Sequence, residues 1–258
     1  MNKFVLLLSI LFISDNKEVV FKEIAQGLEY ATINIKNYSE YDGIIHILKI
    51  NPEKIKPEVF ISKELNVKPM TAEEWCKKFN LNIAINLGMY HKDYSTHVGY
   101  LKNKNSINNP NFNQYKSALL INPIYTKLPY SFIADLDNPD ERKMIEKYKT
   151  VVQNLRLIKG NKINVWKNTS DKWPEAAIGT DKSGNLLLLF AKTPMSMIEF
   201  NDIILSLPID IIKAIHTDGG PPSSLSVHYK DFNIDLSGNI ISNNQEAIPN
   251  ILGFRIKE

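Results

Sequence analysis

The sequence predicts an α+β fold: a large twisted mixed or antiparallel β-sheet system with a few flanking helices. Three observations predict it. Apolar or alternating windows of strand length recur along most of the chain. Only a few segments carry helix-start signals. No Pro/Gly/Ser-rich linker or charge block divides the 258 residues, so one domain is expected.

The elements follow in order. "EYATINI", "GIIHILKI" and "KPEVFI" read as strands. "TAEEWCKKF" opens with Thr71 and Glu74 at capping-box spacing and predicts a short helix, with the single Cys76 on its buried face. "NIAINLGMY" re-enters a sheet and breaks at Gly88. The Asn-, Lys- and Tyr-rich stretch from His91 to Tyr115 reads as a long surface excursion around one short strand. "NPDERKMIEKYK" places Pro139 just inside a helix start, with acids in the first turn. "LRLIKGNKINVW" and "AAIGTDKSGNLLLLFAK" each hold a glycine-bearing turn between apolar segments, with Asp181 in the second turn. Ser196 and Glu199 repeat the capping-box spacing ahead of a helix that Pro208 ends. "IDIIKAIHTDGG" returns to a strand, "FNIDLSGNIIS" reads as a hairpin, and "ILGFRI" as a last strand.

At the N-terminus one Lys precedes an unbroken apolar run from Phe4 to Ile13. That is too short to span a bilayer, which takes ~20 residues, but it fits the apolar core of a secretory signal. Residues 1–14 are therefore expected to be a signal peptide or N-terminal anchor, residues 15–258 the folded domain, and the location secreted or periplasmic. No cysteine stands directly after the run, so no lipoprotein anchor is expected. The single cysteine also forbids an internal disulfide. The net charge of +3 comes from 31 basic and 28 acidic residues scattered along the chain, which is no nucleic-acid footprint.

The chemistry-bearing motifs are few. There is no P-loop, G-x-G-x-x-G, H-E-x-x-H or G-x-S-x-G. The five histidines lack metal-ligand spacing. His91, Asp93 and His97 lie close enough to hold a cation, but a solvated loop is the plainer reading. No metal and no cofactor are expected. Two segments, "AINLGMY" and "AIHTDGG", each run an apolar strand into a polar residue and glycine. Such strand ends release an amide or carboxylate at a sheet edge, where glycine lets a ligand approach the backbone. Asp-Gly is also an ordinary turn, so the pair together, rather than either alone, marks a candidate site.

"AINLGMY", "HVGYLKNK", "QNLRLIKGNKI", "WPEAAIGTDKSGNLLLLF" and "IHTDGGPPSSLSV" occur in one order that resembles the phosphodiester glycosidase family, and its bacterial branch above all. The likeness spans roughly residues 27 to 257. It implies a mixed α/β fold with strongly twisted sheets and hydrolysis of a sugar-1-phosphodiester. Carried onto this sequence, Asn86 and Gly88 match N-x-G. Gln153, Asn154 and Arg156 match Q-S-x-R, with Asn for Ser. Asp218, Gly219, Gly220, Ser223 and Ser224 match the D-G-G element. Where family members read P-R-T-A-I-G, this chain has Glu175, and Leu87 stands at a place that is usually small.

On that resemblance Asp218 is the expected catalytic carboxylate, acting as base or nucleophile at an oxocarbenium-like carbon. Arg156 is expected to clamp phosphate, and Gly219 and Gly220 to offer a backbone nest to anionic oxygen. Asn86, Gln153, Asn154, Ser223 and Ser224 are expected around sugar or phosphate, with Glu175 or Asp181 as candidate second carboxylate. The expected partner is a carbohydrate or sugar phosphate in an envelope glycan or exopolysaccharide. An inactive module of the same fold that grips a glycan or anionic polymer is the alternative, and Glu175 favours it. A chain beginning near Asp15 is expected to melt at the same temperature as the full chain. A clear drop on removing residues 1–14 would instead make the apolar run a core strand.

Overall fold

The computed structural model describes residues 19–35, 42–167 and 171–257. The apolar leader expected at residues 1–14 lies outside them. Every strand pairing among the described residues is antiparallel, which decides between the mixed and antiparallel alternatives. Labels run in chain order. An eight-stranded sheet has the order β1 (Lys22–Ala25), β2 (Leu28–Asn34), β3 (Ile44–Ile50), β14 (Leu186–Met195), β13 (Trp173–Asp181), β15 (Ile211–Gly219), β11 (Arg156–Lys159), β12 (Ile163–Asn164). A five-stranded sheet follows β7 (Ser106–Asn109), β6 (Leu101–Asn103), β10 (Tyr148–Asn154), β8 (Ser117–Pro123), β9 (Ser131–Asp135). A second five-stranded sheet follows β17 (Phe232–Ser237), β16 (Ser224–Tyr229), β5 (Ile83–Asn86), β18 (Asn250–Phe254), β4 (Pro57–Ile61).

The three sheets turn one face each into a shared core. Leu48, Leu188 and Phe190 from the large sheet meet Leu119 and Val152 from the second and Ile85 and Leu252 from the third. The outer faces are covered separately. The helix α3 (Met197–Ser206) packs Phe200 and Ile204 on Ile47, Leu187 and Leu189. The helix α1 (Ala72–Phe79) packs Trp75 and Cys76 on Ala84 and Ile251. Met144 and Ile145, in the 3-10 turn Lys143–Lys147, cover Ala118, Leu120 and Val151. Burial on both faces explains why "LLLLFA" is a continuous apolar run rather than an alternating one.

Both capping boxes form as the spacing predicts, at Thr71 with Glu74 and at Ser196 with Glu199. Three expectations change. The helix beginning at Pro139, α2 (Pro139–Arg142), gives way to the 3-10 turn, because Tyr148 is drawn into the sheet with its hydroxyl donating to Pro129 O at 2.8 Å. The stretch after His91 holds two short strands, β6 and β7, and sends His97 and Asn109 inward. "FNIDLSGNIIS" is not a hairpin by itself: its first half pairs back onto β16, across a turn where Lys230 takes φ +52.

Leu188→Ala, which empties a place in the shared core, is expected to cost about 2–5 kcal/mol in urea unfolding. Thr71→Ala removes only one cap and is expected to cost about 1 kcal/mol.

Candidate active site

The site forms where β15 leaves the shared core. Ala177 pairs with His216 and Ala176 with Asp218, leaving Thr217 in excess on β15. A bulge of this kind re-aims the side chain that follows it. Asp218 takes φ +144, a region nearly reserved for glycine that costs other residues about 1–3 kcal/mol. Half-buried, it accepts the N–H of its own neighbour Gly219 at 2.8 Å through Oδ1.

Asn86, at the end of β5, braces both sides of this segment. Its Nδ2 donates to Thr217 O at 3.0 Å and its Oδ1 accepts the Ser224 N–H at 3.1 Å. The intervening turn closes on itself, with Ser223 donating to Gly220 O through N–H at 3.0 Å and through Oγ at 2.6 Å. Gly238 passes so close that a Cβ there would overlap Ser223 Oγ and Gly220 O. Across the same end, Asn154 Nδ2 donates to Leu87 O at 2.8 Å. A Cβ at Gly88 would overlap Asn154 Oδ1 and the His97 ring. The Gln153 carboxamide is saturated by backbone: it donates to Asn113 O and Tyr115 O and accepts from Tyr100 and Asn113 N–H. Hydrogen bonds thus tie Asn86 to the Thr217–Ser224 segment and Asn154 to Leu87, while Gly88 packs directly against Asn154.

Several sequence expectations take a different form. The N–H groups of Gly219 and Gly220 are not offered to a ligand anion, since they donate to Asp218 Oδ1 and, at 2.9 Å, to Pro174 O. Ser223 and Ser224 are fully buried, and their hydroxyls are used within the turn. Arg156 is held by Asp137 at 2.7 Å and Asp135 at 3.5 Å, so its charge is already matched. Asp181 ties its own hairpin turn through Ser183 and Asn185. His91, Asp93 and His97 do not converge: Asp93 accepts from Ser95 and Thr96, while His97 turns inward to Gln153 O at 3.0 Å. Burial pushes the His97 pKa down to about 4. Among the described residues no cluster of His, Cys, Asp and Glu is arranged to hold a metal ion.

Other residues gather at Asp218 instead. Its charge reaches the phenols of Tyr90 and Tyr115, and both, already pushed up by burial, rise further. The Glu175 and Glu246 charges also act on Asp218. Trp173, 56% exposed, lies against Gly219 and Gly220. Behind the strand, His216 Nε2 meets Glu175 Oε2 at 2.8 Å in a fully buried pair. Burial opposes the imidazolium, yet the Glu175 charge and hydrogen bond, with Asp218, outweigh it and raise the His216 pKa. For Asp218 burial is the largest influence and raises the pKa. The His216 charge and the Gly219 N–H oppose it, Glu175 and Glu246 add to it, and the result is about 6. Tyr90 and Trp173 sit inside motifs visible in the sequence. Tyr115 and Glu246 lie in polar loops with no pattern to mark them.

Residues 79–255 match the family model for phosphodiester glycosidase. The chain belongs to the phosphodiester glycosidase family. Its fold is similar to that of the zebrafish N-acetylglucosamine-1-phosphodiester alpha-N-acetylglucosaminidase catalytic domain, auto-inhibited by its pro-peptide. That match has a TM-score of 0.64 at 13% identity, over 93% of this chain and 88% of that one. A hypothetical protein from Synechocystis is also similar, with a TM-score of 0.68 at 11% identity over 94% of this chain and 64% of that one. At such identities these likenesses speak for the fold alone. No curated protein sequence matches.

A raised carboxyl pKa means that the fold favours the protonated form, so ionised Asp218 weakens the native state. The cost is absent below about pH 4, where both folded and unfolded chains are protonated, grows between pH 4 and 6, and is full above. Asp218→Asn is therefore expected to stabilise the protein by roughly 1–3 kcal/mol at pH 7, with no gain at pH 4, as read from denaturation midpoints at the two values.

Proposed function

We propose that this protein hydrolyses a sugar-1-phosphodiester at the glycosidic carbon, with Asp218 as the catalytic carboxylate. The observation that carries the reading is that strained, half-buried carboxyl, poised near pH 6 at a bulge beside two tyrosines and an exposed tryptophan. A base near neutrality both exists in its ionised form and accepts a proton effectively. Water attacks C1 and gives its proton to Asp218 as the C1–O bond breaks. The sugar leaves with a new hydroxyl, and the departing group leaves as a phosphomonoester. Glu246 adds negative charge beside the carbon that becomes positive. The Tyr90 and Tyr115 hydroxyls serve as uncharged donors to phosphate oxygen or sugar hydroxyls, and Trp173 supplies an apolar face for a sugar ring. Asn86, Gln153 and Asn154 hold the loops that carry these groups, and Arg156 braces β11 against Asp135 and Asp137.

The apolar run Phe4–Ile13 supports export, and with it an envelope glycan or exopolysaccharide as the source of the diester. A second reading, a glycan-binding module without turnover, is favoured by one feature. Glu175 stands where the family resemblance implies arginine, and it is committed to His216.

Activity on a hexose-1-phosphodiester is expected to rise with pH through an apparent pKa near 6. Asp218→Asn is expected to lose about three or more orders of magnitude and the acidic limb with it. Hydrolysis in isotopically heavy water is expected to label the sugar. Label on the phosphomonoester would overturn cleavage at carbon, and binding without turnover would hand the case to the second reading.

A further inference from the structure

The strands that bring residues to Asp218 carry a different chemistry at their other ends. Asn154 lies at the site end of β10 and Lys149 near the opposite one. Ser224 begins β16 at the site, and Lys230 follows its far end. Asn250 begins β18 beside Leu87, and Arg255 and Lys257 follow that strand. At about 3.3 Å per strand residue, the far ends lie ~17–20 Å from the site.

Two adjoining concavities open there, of about 660 and 720 Å3. They share Lys54 and Lys257, and Lys56, Lys104, Lys149, Lys230 and Arg255 complete the cationic lining. Only two carboxylates join them, Glu53 and Glu58. Glu58 is matched by Arg255 at 2.6 Å, and Glu53 accepts the Tyr130 N–H. Among the described residues, Lys54, Lys104, Lys149 and Lys257 make no ion pair, while Lys56 and Lys230 lie over the rings of Tyr130 and Tyr229. Seven cations against two carboxylates exceed the +3 carried by the whole chain. This is local concentration of charge on a chain whose charges are otherwise nearly balanced.

We propose that this lysine-lined groove binds an anionic glycan with phosphate in its repeat, and that it grips the polymer whose sugar-phosphate bond Asp218 cleaves. The proposal rests on the hydrolytic reading for its second half and on charge and shape for its first. A chain with one negative charge per repeat matches spaced, unpaired ammonium groups, which act as point charges and tolerate variable phosphate positions. Tyr130 and Tyr229 hold the Lys56 and Lys230 ammonium groups over their rings, which fixes two of the cations at the groove. Holding the polymer ~17–20 Å from the reacting carbon raises the local concentration of cleavable bonds without any new contact at the site.

The test uses the full chain and a polymer of hexose-1-phosphate repeats, beside a single hexose-1-phosphodiester. Lys104→Glu/Lys149→Glu is expected to weaken polymer binding about ten-fold or more at low salt, to flatten its salt dependence, and to raise KM for the polymer alike. Turnover of the single diester is expected to stay within about two-fold. Lys104→Gln/Lys149→Gln, a milder change, keeps the test valid if the reversal fails to fold. Unchanged polymer binding in a folded variant would overturn the proposal. So would tighter binding to duplex DNA or to anionic phospholipid vesicles than to the glycan. Polymer binding that depends on these lysines, with no hydrolysis of either substrate, would uphold the groove and overturn the catalytic reading.

Discussion

Three sheets spend one face each on the same core, and the rest of the molecule follows from that constraint. Because Leu188, Leu119 and Ile85 meet in one interior, the three sheets that bear them are packed on one another, and strand ends from different sheets fall together. Residues as distant in sequence as Asn86, Asn154 and Asp218 then share one end with no local signal to bring them there. The outer faces need separate covers, which is why the chain carries short helices and why its central strands are apolar on both sides.

The same packing makes Asp218 costly to the fold. Its backbone lies in a glycine-like region, its carboxyl loses hydration, and Glu175 and Glu246 add like charge. Any one of these can be relieved by a single substitution, and a fold selected for stability alone has no reason to keep all three. Strain and a displaced pKa on one residue cluster at working sites, where they set the proton affinity that the chemistry needs. Asn86 is the counterweight: by bonding both sides of the Asp218 segment it prevents the strand from relaxing.

A strand has two ends, and this fold uses them differently. One end gathers tyrosines, carboxamides and a carboxyl tuned toward neutrality. The other exposes lysines, four of which, Lys54, Lys104, Lys149 and Lys257, make no ion pair among the described residues. Separating the two leaves the Asp218 pKa to burial, His216, the Gly219 N–H, Glu175 and Glu246, with none of the groove lysines among its causes.

Much of this was legible in the sequence by itself. Period and turn chemistry identify most strands, two capping boxes place two helices, and five ordered motifs point to the family. Asp218 stands out because an acid beside two glycines ends an apolar run. Partner choice was not legible. Gly219 and Gly220 promise free N–H groups, but a neighbouring carboxylate and Pro174 O take them. Arg156 promises a free cation, but Asp135 and Asp137 arrive from β9 and the turn after it. Tyr115 and Glu246 carry no pattern, since loop residues owe their position to the frame beneath them. Sequence determines local conformation through steric and hydrogen-bond preferences that act over a few residues. Only the tertiary structure decides which polar groups find one another, because that depends on how three sheets close on one core.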